Sequence, residues 1–241
     1  MRRVHGDGSM FIRGLSALLL QSLHPPAMAA VAAHSGYRGD PWGRLQRTSA
    51  FLAENHLRPR RPRPGGLRAG PRRPRPVRGT TAEGRPYHAA DPHLLCRVHI
   101  AEADSFLRAH QRYGARPLDD AGCDAYVADM AHIAAALGVP DPPTDRAEPA
   151  GRMAAYRGEL RATGEARGAA GFLLLNPPVP LLARVPYGLI AANAVSLLPV
   201  RASRALWLPR VPPAESLCVR PLGTAVTRGI RWALTPPAPT S

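Results

Sequence analysis

The sequence predicts an all-α fold: a compact, multi-helix single domain over residues 1–241, interrupted by an irregular arginine- and proline-rich insert. Three observations predict it. Apolar residues recur at three- and four-residue spacing through most of the chain. No run alternates polar and apolar residues for long enough to make a convincing strand, and there is no glycine-rich phosphate loop or internal repeat. Proline-rich joints such as Asn176-Pro177-Pro178 and Pro212-Pro213 divide the helical stretches from one another. With 241 residues and 45% hydrophobic content, the chain can bury a real core.

The first helical stretch follows Gly14, with Leu15, Leu18, Leu19 and Leu23 sharing a face. His24-Pro25-Pro26 must end or kink it, because a proline ring clashes with the preceding turn and donates no hydrogen bond. Small residues from Ala27 to Ala33 let a second helix pack closely. His34-Ser35, the turn Gly39-Asp40-Pro41, Arg44 and Arg47-Thr48 follow. A buried helix pair with polar caps explains this spacing most simply, and an anionic cofactor is the other explanation of two histidines and two arginines in an apolar layer.

From Phe51 to Arg78 the texture changes to an arginine–proline–glycine run that forbids helix and ladder pairing. Residues 55–76 read as disordered or polyproline-like. Globular texture returns after Gly79, with a turn at Gly84-Arg85-Pro86-Tyr87. Asp91 caps a helix that opens on Pro92 and carries Leu95, Val98, Glu102 and Phe106 on one side, with His99 on or beside the buried face. A helix from about Asp119 to Leu137 shows the stripe Tyr126, Met130, Ile133 and Leu137, an acidic first turn and a stop at Gly138. Further helices are expected near Arg152–Thr163, Glu165–Leu175, Val179–Leu198, Ala202–Leu208 and Leu222–Leu234.

The formal charge of +15, from 32 basic and 17 acidic residues, resembles that of a polyanion binder. Every one of those basic residues is arginine, however, and alanine, glycine and proline abound, as GC-rich coding produces. The insert also lacks the interleaved aromatics of a single-strand stacking platform. No specific nucleic acid is expected. Cys96, Cys123 and Cys218 form neither a metal-ligand spacing nor an even disulfide set, so a reducing cytoplasm is expected. The amino terminus mimics a secretion signal, but Gln21, Ser22 and His24-Pro25-Pro26 argue against one. Val179–Leu198 is the one span candidate. Pro180, Arg184, Pro186 and Asn193 interrupt it, which leaves a buried or membrane-surface helix and a weak membrane-surface contact as expectations.

Four segments taken together, LLLQSLHPPAMAAVAAHS, DPWGRLQRTSAFL, GRPYHAADPHLL and VHIAEADSFLRAHQRYG, resemble the MpaB / rubber-oxygenase catalytic-domain family, whose members include the latex-clearing protein and many uncharacterised actinobacterial proteins. The resemblance implies an all-helical haem b oxygenase that cleaves C=C bonds of isoprenoid-like apolar substrates with dioxygen. It implies that Arg44, Arg47 and Thr48 occupy the Arg-x-x-basic-Thr element beside the haem, that Arg78 belongs to a Val-Arg-Gly element, and that His99 is the catalytic histidine of a Trp-Val-His helix. Arg97 stands where that tryptophan is expected, and Ser16 replaces a usual arginine. Arg47 stands where rubber-cleaving members place an iron-capping lysine; arginine stays charged and does not readily coordinate iron, so propionate pairing is the role implied.

The axial ligand is the sharpest departure. The family's His-x-x-Val-Arg-Gly element reads Pro74-Arg75-Pro76-Val77-Arg78-Gly79 here, with proline at the histidine position. The metal ligand is therefore unknown, with His34 the spare candidate. Family pattern flanks the insert on both sides at nearly normal length, which favours an out-of-frame translation of GC-rich codons over an evolved basic arm. Three functions are weighed: an oxygenase impaired by the lost histidine, an inactive relative without haem, and a basic nucleic-acid-binding protein. A haem absorbance band separates the first two; a steep salt dependence of DNA binding marks the third.

Overall fold

The structure is a computed structural model that describes residues 2–34, 78–81, 83–88 and 91–234. Its architecture is all-α. The main helices are α1 (Arg2–His5), α2 (Met10–Ser22), α3 (Pro25–His34), α4 (Pro92–Tyr113), α5 (Asp120–Ala136), α6 (Glu148–Ala155), α7 (Gly164–Leu175), α8 (Arg184–Ser196), α9 (Val200–Ala205) and α10 (Arg220–Leu234). Strands β1 (Arg78–Thr80) and β2 (Pro86–His88) form an antiparallel hairpin with Arg78 opposite His88. Gly84 takes φ +80 at its turn, a conformation open to glycine.

Helices α2 and α4 pack side by side at the centre. Leu19, Leu20 and Leu23 of α2 join Ala166 and Ala170 of α7 and Leu198, Ala202 and Leu206 around α9. Nearer the amino end of α2, Ile12 and Leu15 meet Tyr113 of α4 and Ala191 and Ala194 of α8. On its other side α4 packs on α5, where Ala103 meets Tyr126, Val127 and Met130. Burial of each such side chain contributes roughly 1.5–3 kcal/mol.

The prolines act as the sequence requires. Between α2 and α3 the chain bends by 106°. Pro25 opens α3, where its missing N–H is no loss, and His24 caps it by accepting the Ala27 N–H at its Nδ1 (3.4 Å). The Leu23 carbonyl, orphaned at the bend, accepts the Arg161 N–H at 2.8 Å. Asp91 caps α4 as expected, accepting from the His93 N–H; Asp119, expected in the first turn, instead precedes α5 and caps it by accepting the Gly122 N–H, and Gly138 lies beyond α5 at φ +92. At the crossing of α8 and α10, Gly223 sits against the Asn193 amide where a Cβ would collide. That amide accepts the buried Tyr113 hydroxyl at 2.6 Å.

Several expectations need correction. Leu95, Val98, Glu102 and Phe106 are only half-buried, and α4 buries Leu94, Cys96, Arg97, His99, Ile100 and Ala101 around much of its circumference. Leu137 is exposed rather than part of the α5 stripe. The helix expected over Arg152–Thr163 forms earlier, as α6, and ends in a 3₁₀ turn at Tyr156–Glu159. The stretch from Val179 yields only α8 after a 3₁₀ turn at Leu181–Ala183, because Pro178 and Pro180 hold the lead-in extended. Among the described residues no single helix is long and apolar enough to cross a membrane; α2 and α3 pass that test only together, across their bend.

Candidate functional site

Two buried guanidiniums lie in the central layer. Arg13 of α2 is fully enclosed: its Nη1 donates to the Val4 carbonyl at 2.6 Å, and the group stacks over the Phe106 ring at 3.8 Å. Burial pushes its pKa down to about 10, against the pull of Tyr126, Asp7 and Glu102. Burial conversely raises the Glu102 carboxyl, and Arg13 opposes that rise. Arg97 of α4 is 1% exposed, and its Nε and Nη1 have no partner among the described residues. Burial lowers it also to about 10, offset by the fields of Glu159 and Tyr156. Both therefore remain cations at neutral pH.

His99 follows two residues on, buried, with its Nε2 unpartnered among the described residues. Burial alone takes its pKa to about 4, so the ring is neutral at neutral pH. An unpaired buried charge is expensive, and desolvation of a polar group without a hydrogen bond costs roughly 1–3 kcal/mol. Arg97 and His99, like Arg13 with its Nε and Nη2, are buried polar groups that the described residues leave incompletely satisfied.

The better-formed cavity, about 290 Å³, opens between the hairpin, the α2–α3 bend and the start of α4. His24, Thr81, Tyr87, His88, His93 and Glu159 line it. Glu159 is the hinge of this group. Its carboxylate meets the His93 Nε2 at 2.9 and 3.0 Å and lies 3.4 Å from the His24 Nε2. Because the His24 Nδ1 accepts the Ala27 N–H, its Nε2 carries the proton and faces Glu159 as a donor. Burial, and then the Arg97 charge, pull His24 down to about 4 despite Glu159, leaving it neutral. A carboxylate bracketed by two imidazoles can hold and pass a proton. Among the described residues no group of three or more His, Cys, Asp and Glu side chains is arranged to hold a metal ion.

The residues expected from sequence distribute unevenly. Arg44, Arg47, Thr48, Pro74 and the whole 55–76 insert lie outside the described residues, as does the His34 side chain at the end of α3. Arg78 is exposed on β1, opposite His88, and does not line the cavity. His99 is buried on α4 as anticipated. His24 and His88 both line the cavity. Sequence reasoning missed His93 and Glu159, which are 66 residues apart, and the burial of Arg13. For Arg13 a signal existed: a single arginine inside the apolar run of α2.

An all-helical domain with a cationic, histidine-bearing interior is the class that fold and site define. The chain belongs to the family described as ER-bound oxygenase mpaB/B'/Rubber oxygenase, catalytic domain, whose model matches residues 2–232. No curated protein and no solved structure matches it.

The haem that the resemblance implies can be tested against these residues. Its propionates need buried donors, and Arg97 offers two nitrogens without partners. Its iron needs an axial donor, and Pro74 has no side-chain atom able to provide one. Arg97 fits the carboxylate rim of such a group, and Pro74, where the resemblance places the ligand, cannot supply the axial bond.

Proposed function

We propose that this chain descends from haem b oxygenases that use dioxygen to cleave C=C bonds of isoprenoid-like apolar substrates, and that it is impaired in that chemistry. One observation supports the reading: a family match spanning residues 2–232 coexists with Pro74 where the resemblance expects the axial histidine. When bound, haem iron would supply dioxygen activation. Arg44 would pair with a propionate through its planar guanidinium fork, aided by Arg47, Thr48 and Arg78, and Arg97 would add buried donors to the same rim. His99 would stand as the neutral polar group beside the substrate.

Titration of the purified chain with haemin tests this, read by the absorbance band of bound haem. The expected result is a weak band without the signature of histidine-ligated iron. A stoichiometric histidine-ligated band would overturn the impairment. The coding interval for residues 55–76 offers a second check: one of its other two frames should encode an alanine- and valine-rich helix containing His-x-x-Val-Arg-Gly. A chain rebuilt with that segment should then bind haem, and Arg44→Ala should weaken retention more than Arg47→Ala. If the rebuilt chain binds none, the second reading, an inactive relative without haem, replaces the first.

A further inference from the structure

We propose that the loop joining α7 to α8, with Arg184 at its end, docks on an anionic lipid surface. Within eleven residues this loop displays Leu175, Leu181, Leu182 and Val185, exposed by 78, 77, 95 and 74%. Four large aliphatics so close together exceed the scattered apolar residues that any surface carries. They are held outward by structure. Pro177, Pro178 and Pro180 stop α7 and keep the backbone from folding onto the core. Val179 N–H donates to the Pro177 carbonyl at 2.8 Å and Ala183 N–H to the Pro180 carbonyl at 2.9 Å, which shapes the loop into tight turns. The Tyr187 hydroxyl then ties α8 back to the Leu173 carbonyl at 2.7 Å.

Charge selects the occupant. No acidic residue occurs between Glu165 and Glu215, while Arg167, Arg184, Arg201, Arg204 and Arg210 all fall there. Arg210 is paired with Glu215 at 2.7 Å, whereas Arg184, Arg201 and Arg204 form no ion pair among the described residues. Arg201 and Arg204 are carried by α9, which packs on α7 through Ala202 and Leu206. Trp207, 75% exposed, stacks under Arg167 at 4.0 Å, an aromatic–cation pair of the kind favoured at a lipid headgroup boundary. The Arg167–Trp207 pair and α9 sit at the first turns of α7, away from the loop at its other end, so Arg184, which opens α8, is the cation of the loop itself. An anionic bilayer suits that loop, taking the aliphatics into its boundary and meeting Arg184 with headgroup charge, with no acid in the α7–α9 stretch to oppose it. A second copy of the chain would set arginine against arginine with no acid to receive it. Nucleic acid would meet the arginines and leave the leucines in water. The inference stands apart from any cofactor.

The full chain should co-sediment with phosphatidylcholine vesicles that contain phosphatidylserine, and less as salt rises. The double variant L181S/L182S should bind at least about tenfold more weakly, since each leucine loses its apolar burial. Arg184→Gln should weaken binding about fivefold. Both sites are exposed, so the helical circular dichroism should not change. Leu137→Ser, at the exposed end of α5, should bind as the parent does. Undiminished binding by L181S/L182S would overturn the proposal, as would equal binding to vesicles lacking phosphatidylserine. A dimer that L181S/L182S dissolves, with no vesicle binding by the parent, would overturn it in favour of self-association.

Discussion

The two ends of the α2–α4 layer solve the problem of buried charge in opposite ways. At the amino end of α2, the Asp7 carboxylate accepts from the Ser9 N–H at 2.8 Å, the Ala115 N–H at 3.2 Å and the Arg231 guanidinium at 2.8 and 3.1 Å. Arg231 also donates to the Tyr113 carbonyl. Burial would raise the Asp7 pKa, but these hydrogen bonds hold it well below the usual carboxylate range. Around the start of α4, Arg97 and His99 leave three nitrogens without partners among the described residues. Asp7 and Arg231 thus form a closed lock that joins α2, α4 and α10, although Ser9 Oγ, His110 Nδ1 and two Arg13 nitrogens near it have no partner among the described residues. The second end is polar without being satisfied, which is the mark of residues retained for a group other than the protein's own side chains.

The largest effect should come from opening the lock. Asp7→Ala strands the half-buried Arg231 and two backbone N–H groups, and removing one partner of a buried pair costs about 3–5 kcal/mol. Urea denaturation should show that loss with an unchanged slope. A loss under about 1 kcal/mol would mean the two ends do not differ in the way their hydrogen bonds imply.

Acid should act through the buried histidines, His110 beside Asp7 and two at the other end. His24 and His99 titrate near 6.5 when unfolded and near 4 when folded. Between those values the unfolded chain binds more protons, so stability falls as pH drops through that window and is fully present above it. Each histidine contributes on the order of 3 kcal/mol to this slope. Asp7 adds nothing in the same range, because its depressed pKa withdraws stability only below the ordinary value of 3.8. Unfolding free energies at pH 7 and 4.5 should differ less in His99→Gln than in the parent. An identical pH dependence would show that His99 does not hold its neutral form in the fold.

Much of this frame was legible because its signals are local. Proline at the α2–α3 bend, the Asp91 cap and Gly138 each act within one turn of their own position, and each acts as expected. The α4 stripe was misread because amphipathic reasoning assumes one wet face, and α4 is wrapped on several sides by α2, α5, α6 and α10. Glu159 could not be foreseen beside His93 and His24, since that contact spans 66 and 135 residues and leaves no periodic trace. The family resemblance marked His99 and Arg97 as notable positions. It did not reveal that the Arg97 guanidinium would be sealed inside without a partner.

That sealed guanidinium allows the most discriminating, if smallest, test of the contrast. Arg13 and Arg97 are equally buried arginines in one helical layer, and both keep their charge. Each leaves two nitrogens without partners among the described residues; Arg13 adds a carbonyl acceptor and an aromatic face, whereas Arg97 adds only the fields of Glu159 and Tyr156. Replacing a buried charge by an apolar side chain of similar volume is often neutral or stabilising by about 1–4 kcal/mol, and the gain grows as the native partners become poorer. Arg97→Met should therefore stabilise the chain by about 1–2 kcal/mol, whereas Arg13→Met, which gives up the Val4 bond and the Phe106 stack, should gain nothing. Thermal and urea unfolding of the two variants beside the parent would decide it. If Arg97→Met instead destabilises the protein, Arg97 already has a partner that completes the site. Residues 35–77 would then be the first place to look for it.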